Sequence, residues 1–155
     1  ALGCLVRTAD PAAEEALANF ERRWKDDALV MDKWFAMQAS QPAHETVMRV
    51  RELMRHPAFS MRNPNKVRSL VGAFAMLNPT GFHAPDGAGY KFLAERVIEL
   101  NGTNPQMAAR MVSAFNRWKR FDANRQSLMR QALEGIAAQP ALSPDVAEIV
   151  NNALR

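Results

Sequence analysis

Cysteine is nearly absent from this chain of 155 residues, which contains one, Cys4. A single cysteine allows no internal disulfide, so we predict a fold without covalent cross-links and a reducing compartment, the cytoplasm. Cys4 has no histidine near it in sequence, and we interpret it as a small apolar residue on a short helix rather than as a nucleophile. No apolar run approaches the roughly 18 residues of a membrane span, so we expect no transmembrane helix and no membrane partner.

Charge of one sign is also in short supply, because the net charge is only +4. This excess is small enough to serve solubility alone. The first residues are too few and lack the basic leader of a signal peptide. The sequence starts without Met, on what resembles the tail of an apolar helix, and this start favours a fragment of a longer chain. Its length predicts a single domain over residues 1–155.

Strand patterns are missing as well, since β-branched residues nowhere alternate over a useful length. Helix signals are frequent instead, and they predict about eight helices in an all-α fold. Asn, Asp or Ser before Pro provides an N-cap followed by a residue that needs no N–H at the first helical position. Such starts stand at Asp10-Pro11, Asn63-Pro64, Asn104-Pro105 and Ser143-Pro144. Asp122 predicts one more start, and Asn101-Gly102 predicts a stop with Gly in the left-handed conformation.

The connections between these helices are short, so consecutive helices are predicted to lie antiparallel. A row of such hairpins forms an α-solenoid, in which neighbouring pairs bury each other's apolar stripes. No strict repeat length is visible, and we therefore predict an irregular, armadillo- or HEAT-like superhelical cup. A compact orthogonal bundle is the alternative.

The stretch from Met61 to Leu100 predicts a helix, a loop and a second helix that begins near Asp86. In the first helix, one apolar stripe is predicted, and Asn78-Pro79 ends the helix because the residue before Pro avoids the α region. The stripe consists of Val67, Leu70, Val71, Phe74 and Leu77. The loop that follows carries Phe82, which we expect to be buried.

No catalytic motif is found. His44-Glu45 begins a possible HExxH zinc motif, but Met48 stands where the second His must be. There is no Gly-rich phosphate loop after a strand and no G-x-S-x-G elbow. We therefore predict that this chain alone is not an enzyme and binds no metal or other cofactor.

The densest basic run is Arg117-Trp118-Lys119-Arg120. It allows a phosphate- and base-binding patch. We favour a solvated helix end with Trp118 in the core, because the total charge is modest; a nucleic-acid partner is therefore disfavoured. Gln106, Arg110, Ser113 and Arg117 also share a polar face by i, i+4, i+7, i+11 spacing, which by itself favours a solvated or ion-paired surface.

The motifs of this chain resemble those of a known family, the C-terminal helical domain of bacterial aminopeptidase N, the alanyl aminopeptidases of the zinc gluzincin class. The resemblance is close over residues 57–155 and looser before them. The motifs that carry it are Arg62-Asn63-Pro64-Asn65, Asn78-Pro79 with Phe82-His83, Asp86-Gly87 with Gly89-Tyr90, and Asn104-Pro105-Gln106.

The resemblance implies a non-catalytic domain of a larger multidomain enzyme. In that family, zinc and the catalytic Glu belong to a separate domain, and the helical cup closes over the active-site chamber and limits entry to peptides. It further implies that Arg68, Gln106 and Arg110 line the chamber, where an Arg would pair with the carboxylate or carbonyls of a bound peptide. The partners implied are the other domains of the parent enzyme and its peptide substrates. A free-standing protein-binding scaffold remains the main alternative, followed by a nucleic-acid binder.

Overall fold

A computed structural model describes residues 2–8 and 10–155 of the chain. Within these residues every regular element is helical, which confirms the predicted all-α class. The first helices are α1 (Leu2–Arg7), α2 (Ala13–Trp24), α3 (Ala28–Ala39) and α4 (Thr46–Leu53). A continuous run follows, made of α5 (Pro64–Val67), a π-helical segment (Arg68–Gly72) and α6 (Ala73–Leu77), and then the short α7 (Pro79–Phe82).

The remaining elements are α8 (Ala88–Asn101), α9 (Pro105–Val112), two 3-10 turns (Ser113–Phe115 and Trp118–Arg120), α10 (Ala123–Ala137) and α11 (Pro144–Leu154). None of the helices in this described part of the chain is both long and apolar enough to cross a bilayer. The chain divides into two compact units, residues 1–81 and 82–155.

In the first unit, α3 is the central element and packs against α2, α4 and the π segment. Its core is aromatic and aliphatic, with Phe35 and Met31 fully buried and Trp34 nearly so. Asn78, which is 1% exposed, is the C-cap of α6, and its side chain bonds the backbone at and just after the end of α3 and the backbone of α7. Its Nδ2 donates to Ala39 O at 3.0 Å and to Gln41 O at 2.6 Å, and its Oδ1 accepts from Gly81 N at 2.9 Å. The predicted stop at Asn78-Pro79 is therefore confirmed.

In the second unit, α8 packs against α9 and α10, and α11 packs against the same two helices. The core includes Phe82, which is fully buried as expected, together with Tyr90, Phe92 and Phe115. Gly89 lies against the backbone of residue 82, since a Cβ there would stand 2.5 Å from Phe82 O. Only a residue without a side chain permits this close approach of α8 to the end of α7.

The predicted helix starts are confirmed at four positions. Asn63, Asn104, Asp122 and Ser143 are the N-caps of α5, α9, α10 and α11, and each side chain accepts from a backbone N–H of the first turn. Asp10-Pro11 does not open α2 directly. Asp10 Oδ1 accepts from Ala12 N at 2.8 Å in a turn, and α2 begins two residues after Pro11, at Ala13.

Two local predictions are wrong. Gly102 caps α8 with a φ of −79°, in the right-handed region, whereas Gly87 before α8 has a φ of +72°. Leu77 does not join the apolar stripe and is 66% exposed, although Val67, Leu70 and Phe74 are fully buried. Leu77 lies beyond the π-helical segment, whose wider i→i+5 turn moves later positions off the α-helical period, although Phe74, two residues after the segment, still faces the core.

Candidate functional site

Arg68 is the first residue of the π segment, and its side chain is exposed. Its Nη1 donates to Asn65 Oδ1 at 2.9 Å, one helical turn earlier. Asn65 is itself held by the cap of the helix, since its backbone N–H donates to Asn63 Oδ1 at 3.0 Å. The guanidinium of Arg68 is thus oriented by a neutral amide, and its positive charge is not cancelled by a carboxylate within the described residues.

Gln106 and Arg110 lie one turn apart on α9, in the second unit, and both are exposed. The opposite face of the helix is buried, with Ala108 and Val112 fully enclosed. The guanidinium of Arg110 makes no hydrogen bond or ion pair with another residue in the described ranges 2–8 and 10–155. The spacing argument from the sequence placed this pair on one polar face, but α9 ends at Val112 and Arg117 lies beyond the first 3-10 turn, so the predicted face does not extend to it. Its role as a chamber lining stays a prediction.

Several other arginines, half-buried or exposed, face a carboxylate instead. In the second unit, Arg125 Nη1 lies 2.7 Å from Asp122 Oδ2, and Arg130 Nε lies 2.8 Å from Glu134 Oε1. In the first unit, Arg49 contacts Glu14 at 3.2 Å. Such pairing neutralises the charge locally and leaves little to attract an anionic ligand. Arg68 and Arg110 differ from these arginines in keeping their charge available.

The basic run Arg117–Arg120 does not form an aromatic stacking platform. Trp118 is 7% exposed, and its Nε1 donates to Ala153 O at 2.8 Å, which fixes the indole against α11. Phe115 is fully buried in the same core. The cations of the run are exposed, as expected for a solvated helix end. Base stacking by Trp118 would require this contact with α11 to break.

The second unit also contains a cluster formed by His83, Tyr90, Phe121 and Arg125, which the sequence did not predict. His83 Nδ1 and Tyr90 OH share a hydrogen bond of 2.8 Å, and the imidazole stacks on Phe121 with 4.2 Å between ring centroids. Arg125 Nε donates to His83 O at 2.7 Å, and Asn124 Nδ2 donates to Pro85 O at 2.9 Å. These bonds fasten the loop before α8 to the start of α10.

Burial controls the titration of this cluster. Desolvation lowers the pKa of His83, and the charge of Arg125 lowers it further. Desolvation raises the pKa of Tyr90 to about 12, partly opposed by Arg125 and reinforced by Asp122. Hydrogen bonds from Arg125 lower the pKa of the Asp122 carboxyl. Both the imidazole and the phenol are thus held in their neutral forms near neutral pH, which suits a structural clasp better than proton transfer.

His56, in the first unit, lies beside a cleft of about 320 Å³ lined by Glu14, Glu21, Trp34 and Arg49, among others. Ala58 N donates to His56 Nδ1 at 3.1 Å, so Nε2 carries the proton and donates to Glu21 Oε1 at 2.8 Å. This arrangement satisfies both ring nitrogens. Among the described residues, no group of three His, Cys, Asp or Glu side chains is placed to hold a metal ion.

The chain is similar in sequence to known proteins over its whole length. A family model described as "Domain of unknown function (DUF3458_C) ARM repeats" matches residues 1–155. The chain is 45% identical to the aminopeptidase N of Haemophilus influenzae over 155 residues, covering 100% of this chain and 18% of that protein. It is 45% identical to the Escherichia coli aminopeptidase N over 154 residues, covering 99% and 18%. The Caulobacter vibrioides aminopeptidase N is 44% identical over 141 residues, covering 91% and 16%.

A solved structure agrees. A Legionella pneumophila aminopeptidase A, crystallised in complex with aspartic acid, superposes with a TM-score of 0.92 at 36% identity, over 99% of this chain and 18% of that one. The chain therefore spans less than a fifth of the length of these relatives. The ARM-repeat description agrees with the predicted α-solenoid, and the resemblance to the C-terminal domain of bacterial aminopeptidase N is confirmed. The chain belongs to the DUF3458_C family of ARM-repeat domains, the family found in the C-terminal region of bacterial aminopeptidases N.

Proposed function

We propose that this chain is the non-catalytic C-terminal domain of a zinc-dependent aminopeptidase N. In this proposal it closes over the active-site chamber, controls which peptides enter and lines the substrate cavity, while the parent enzyme removes N-terminal residues from peptides in the cytoplasm. The zinc and the catalytic Glu would belong to another domain of the parent. The observation that supports this assignment most strongly is the 45% identity to aminopeptidases N along the whole chain.

The proposed chamber lining consists of Arg68 from the first unit and of Gln106 and Arg110 from the second. A peptide that has been threaded N-terminus first into a peptidase site presents its C-terminal carboxylate and its carbonyls away from the scissile bond. An arginine whose charge is not already neutralised can take a carboxylate through two parallel N–H···O bonds. The exposed guanidiniums of Arg68 and Arg110, which lack carboxylate partners among the described residues, are suited to that contact. Gln106 would add neutral hydrogen bonds to peptide carbonyls.

The test of the lining role uses the full-length enzyme. Arg110→Ala should raise KM for a tripeptide with a free C-terminal carboxylate by about tenfold, the value of one charge-assisted hydrogen bond of about 1.5 kcal/mol. The rise should be much smaller for the same tripeptide with an amidated C-terminus. Arg120→Ala removes an equal charge from an exposed turn of the same unit and serves as the matched control. Equal effects of Arg110→Ala on both substrates would contradict the carboxylate contact.

The test of access control compares three samples with an alanine chromogenic amide and a series of tripeptides and longer peptides. The samples are the chain alone, the zinc-loaded remainder of the enzyme alone, and their mixture. We expect the chain alone to be inactive and the mixture to differ from the remainder in its preference for peptide length. A mixture indistinguishable from the remainder would overturn the gating role and favour a protein-binding scaffold.

A further inference from the structure

Asn65 binds the guanidinium of Arg68 without neutralising its positive charge, whereas a carboxylate at position 65 would neutralise it. The Oδ1 of Asn65 accepts one N–H of the guanidinium at 2.9 Å, and both side chains are exposed. A guanidinium carries five N–H donors in a rigid plane, so one bond leaves the others free while restricting rotation of the side chain. A carboxylate at the same position would hold the guanidinium more firmly but would cancel its charge.

The backbone around this contact limits where Asn65 can stand. Asn65 is the second residue of α5, after Asn63 and Pro64, and its N–H is fixed by the cap. Proline at the first helical position fixes φ there and pre-organises the turn. Arg68 then begins the π-helical segment, whose first residues include a fully buried Leu70. The helix that carries Arg68 is therefore held by the burial of Leu70, and the guanidinium is held by Asn65.

We infer that Asn65 is a positioning residue that orients the guanidinium of Arg68 toward the carboxylate of a bound peptide without neutralising it. The inference rests on the proposed function, in which Arg68 lines the substrate chamber. It adds a residue outside the predicted lining set and a reason for an amide at this position. An amide supplies an acceptor, and it leaves the full positive charge for the ligand.

The chain offers a matched control for this pair. Asn19 and Arg22 form the same contact on α2, with Arg22 Nη2 donating to Asn19 Oδ1 three residues earlier on an exposed helix face. Arg22 does not belong to the proposed chamber lining. A change of Asn19 to Asp therefore alters the charge and the hydrogen bond as Asn65→Asp does, but at a place where no peptide contact is proposed.

The experiment measures KM for a tripeptide with a free C-terminal carboxylate and for its C-terminally amidated form. The readout is the KM ratio, defined as KM of the free carboxylate form divided by KM of the amidated form. The full-length enzyme is compared with Asn65→Asp, Asn65→Ala, Arg68→Ala, the double variant Asn65→Asp/Arg68→Ala and Asn19→Asp. We expect Asn65→Asp to raise the ratio about threefold, in line with the value of an exposed ion pair. Asn65→Ala should raise it less, because the charge remains while its orientation is lost. Arg68→Ala should raise it the most.

Stability separates positioning from a structural role. Asn65→Asp places a negative charge in the first turn of a helix, where it interacts favourably with the positive end of the helix dipole. We therefore expect its Tm to stay level or rise while peptide binding weakens. A structural role would instead link weaker binding to a lower Tm. If Asn65→Asp fails to fold, the KM ratio is measured on Asn65→Ala instead, which removes the hydrogen bond without adding a charge.

The outcomes are distinct for the two proposals. If Arg68→Ala raises the ratio and the Asn65 variants do not, or if Asn19→Asp raises it equally, the positioning role is overturned and the lining role of Arg68 stands. If Arg68→Ala itself leaves the ratio unchanged, the lining role of Arg68 is overturned first. If the double variant adds nothing to Arg68→Ala, Asn65 acts through Arg68, as inferred.

Discussion

Lys66 and Asp32 form an ion pair in the interior of the first unit, with 2.7 Å between Nζ and Oδ1 and side-chain exposures of 7% and 19%. The ammonium also donates a hydrogen bond to Ala28 O at 2.9 Å, so the charge of Lys66 is held between a carboxylate and a backbone carbonyl. The ammonium also lies 5.7 Å from the ring centroid of Phe35. The pair connects the start of the helix that carries Arg68 to the central helix α3.

Breaking this pair from one side should destabilise the protein strongly. Lys66→Met leaves the Asp32 carboxylate buried without its counter-ion, and we expect a loss of about 3 kcal/mol in the free energy of unfolding. Lys33→Met changes an exposed neighbour on the same helix as Asp32 and should cost under about 0.5 kcal/mol. Urea unfolding of the two variants measures the difference. The double change Lys66→Met/Asp32→Leu should recover most of the loss, and equal losses for Lys66→Met and Lys33→Met would show that the buried pair is not the cause.

Local signals in the sequence were sufficient for most helix starts. Asn63, Asn104 and Ser143 stand directly before Pro, and a side-chain acceptor followed by a residue without an N–H is favoured in the first turn of a helix. Asp10-Pro11 carries the same signal, yet its side chain closes a turn before α2. The pattern therefore predicts a cap-like turn more reliably than the first helical residue.

Contacts that depend on register or on distance along the chain were harder to predict. The exposure of Leu77 follows from a π segment, and no residue type in the sequence specifies one. The bond from Arg125 to His83 O spans 42 residues, which periodicity cannot reveal. Asn65 and Arg68 are different, because i, i+3 spacing on a helix brings their side chains together and the sequence alone contained that signal.

Tyr90 should ionise far above the usual range for tyrosine. Burial raises its pKa to about 12 in the folded protein, against 10.0 for an unperturbed phenol. Tyr90 is the one tyrosine of the chain, so tyrosinate absorbance of the isolated chain reports on it alone. We expect a midpoint near pH 12 in buffer and near pH 10 in concentrated urea. A folded-state midpoint near pH 10 would contradict the burial of the hydroxyl group.

The same shift makes stability depend on alkaline pH. The folded state keeps its proton up to higher pH than the unfolded state, so stability is full below pH 10 and falls as pH rises toward 12. A shift of this size corresponds to about 2 kcal/mol at the upper end of that window. Tyr90→Phe removes the ionisable group and should flatten this part of the stability profile, which urea unfolding at several pH values measures.

His83 should titrate below its ordinary value. Burial and the nearby Arg125 both favour the neutral imidazole, so the pKa is lower in the folded than in the unfolded state. The stability from this shift is complete above pH 6.5, the ordinary pKa of histidine, and is lost as pH falls through the folded pKa. NMR titration of the imidazole protons should place His83 below 6.5. Arg125→Gln should move the pKa upward but not fully back, because burial is the larger cause; a value at or above 6.5 in the unmodified protein would contradict both causes.

Two glycines in the second unit should respond oppositely to alanine. At Gly89, a Cβ would lie 2.5 Å from Phe82 O and 3.0 Å from Phe82 C, and backbone atoms cannot move aside as a flexible side chain does. We expect Gly89→Ala to cost about 3 kcal/mol, at the upper end for overpacking.

At Gly135, inside α10, a Cβ would meet nothing within 4 Å. Gly135→Ala should therefore stabilise the protein by about 0.8 kcal/mol, because alanine loses less backbone entropy than glycine on forming a helix. Thermal and urea unfolding of both variants provide the measurement. If Gly89→Ala and Gly135→Ala both lost stability, the close approach of α8 to Phe82 would not be the explanation of the Gly89 result. The opposite signs are expected because the backbone carbonyl that blocks position 89 has no counterpart at position 135.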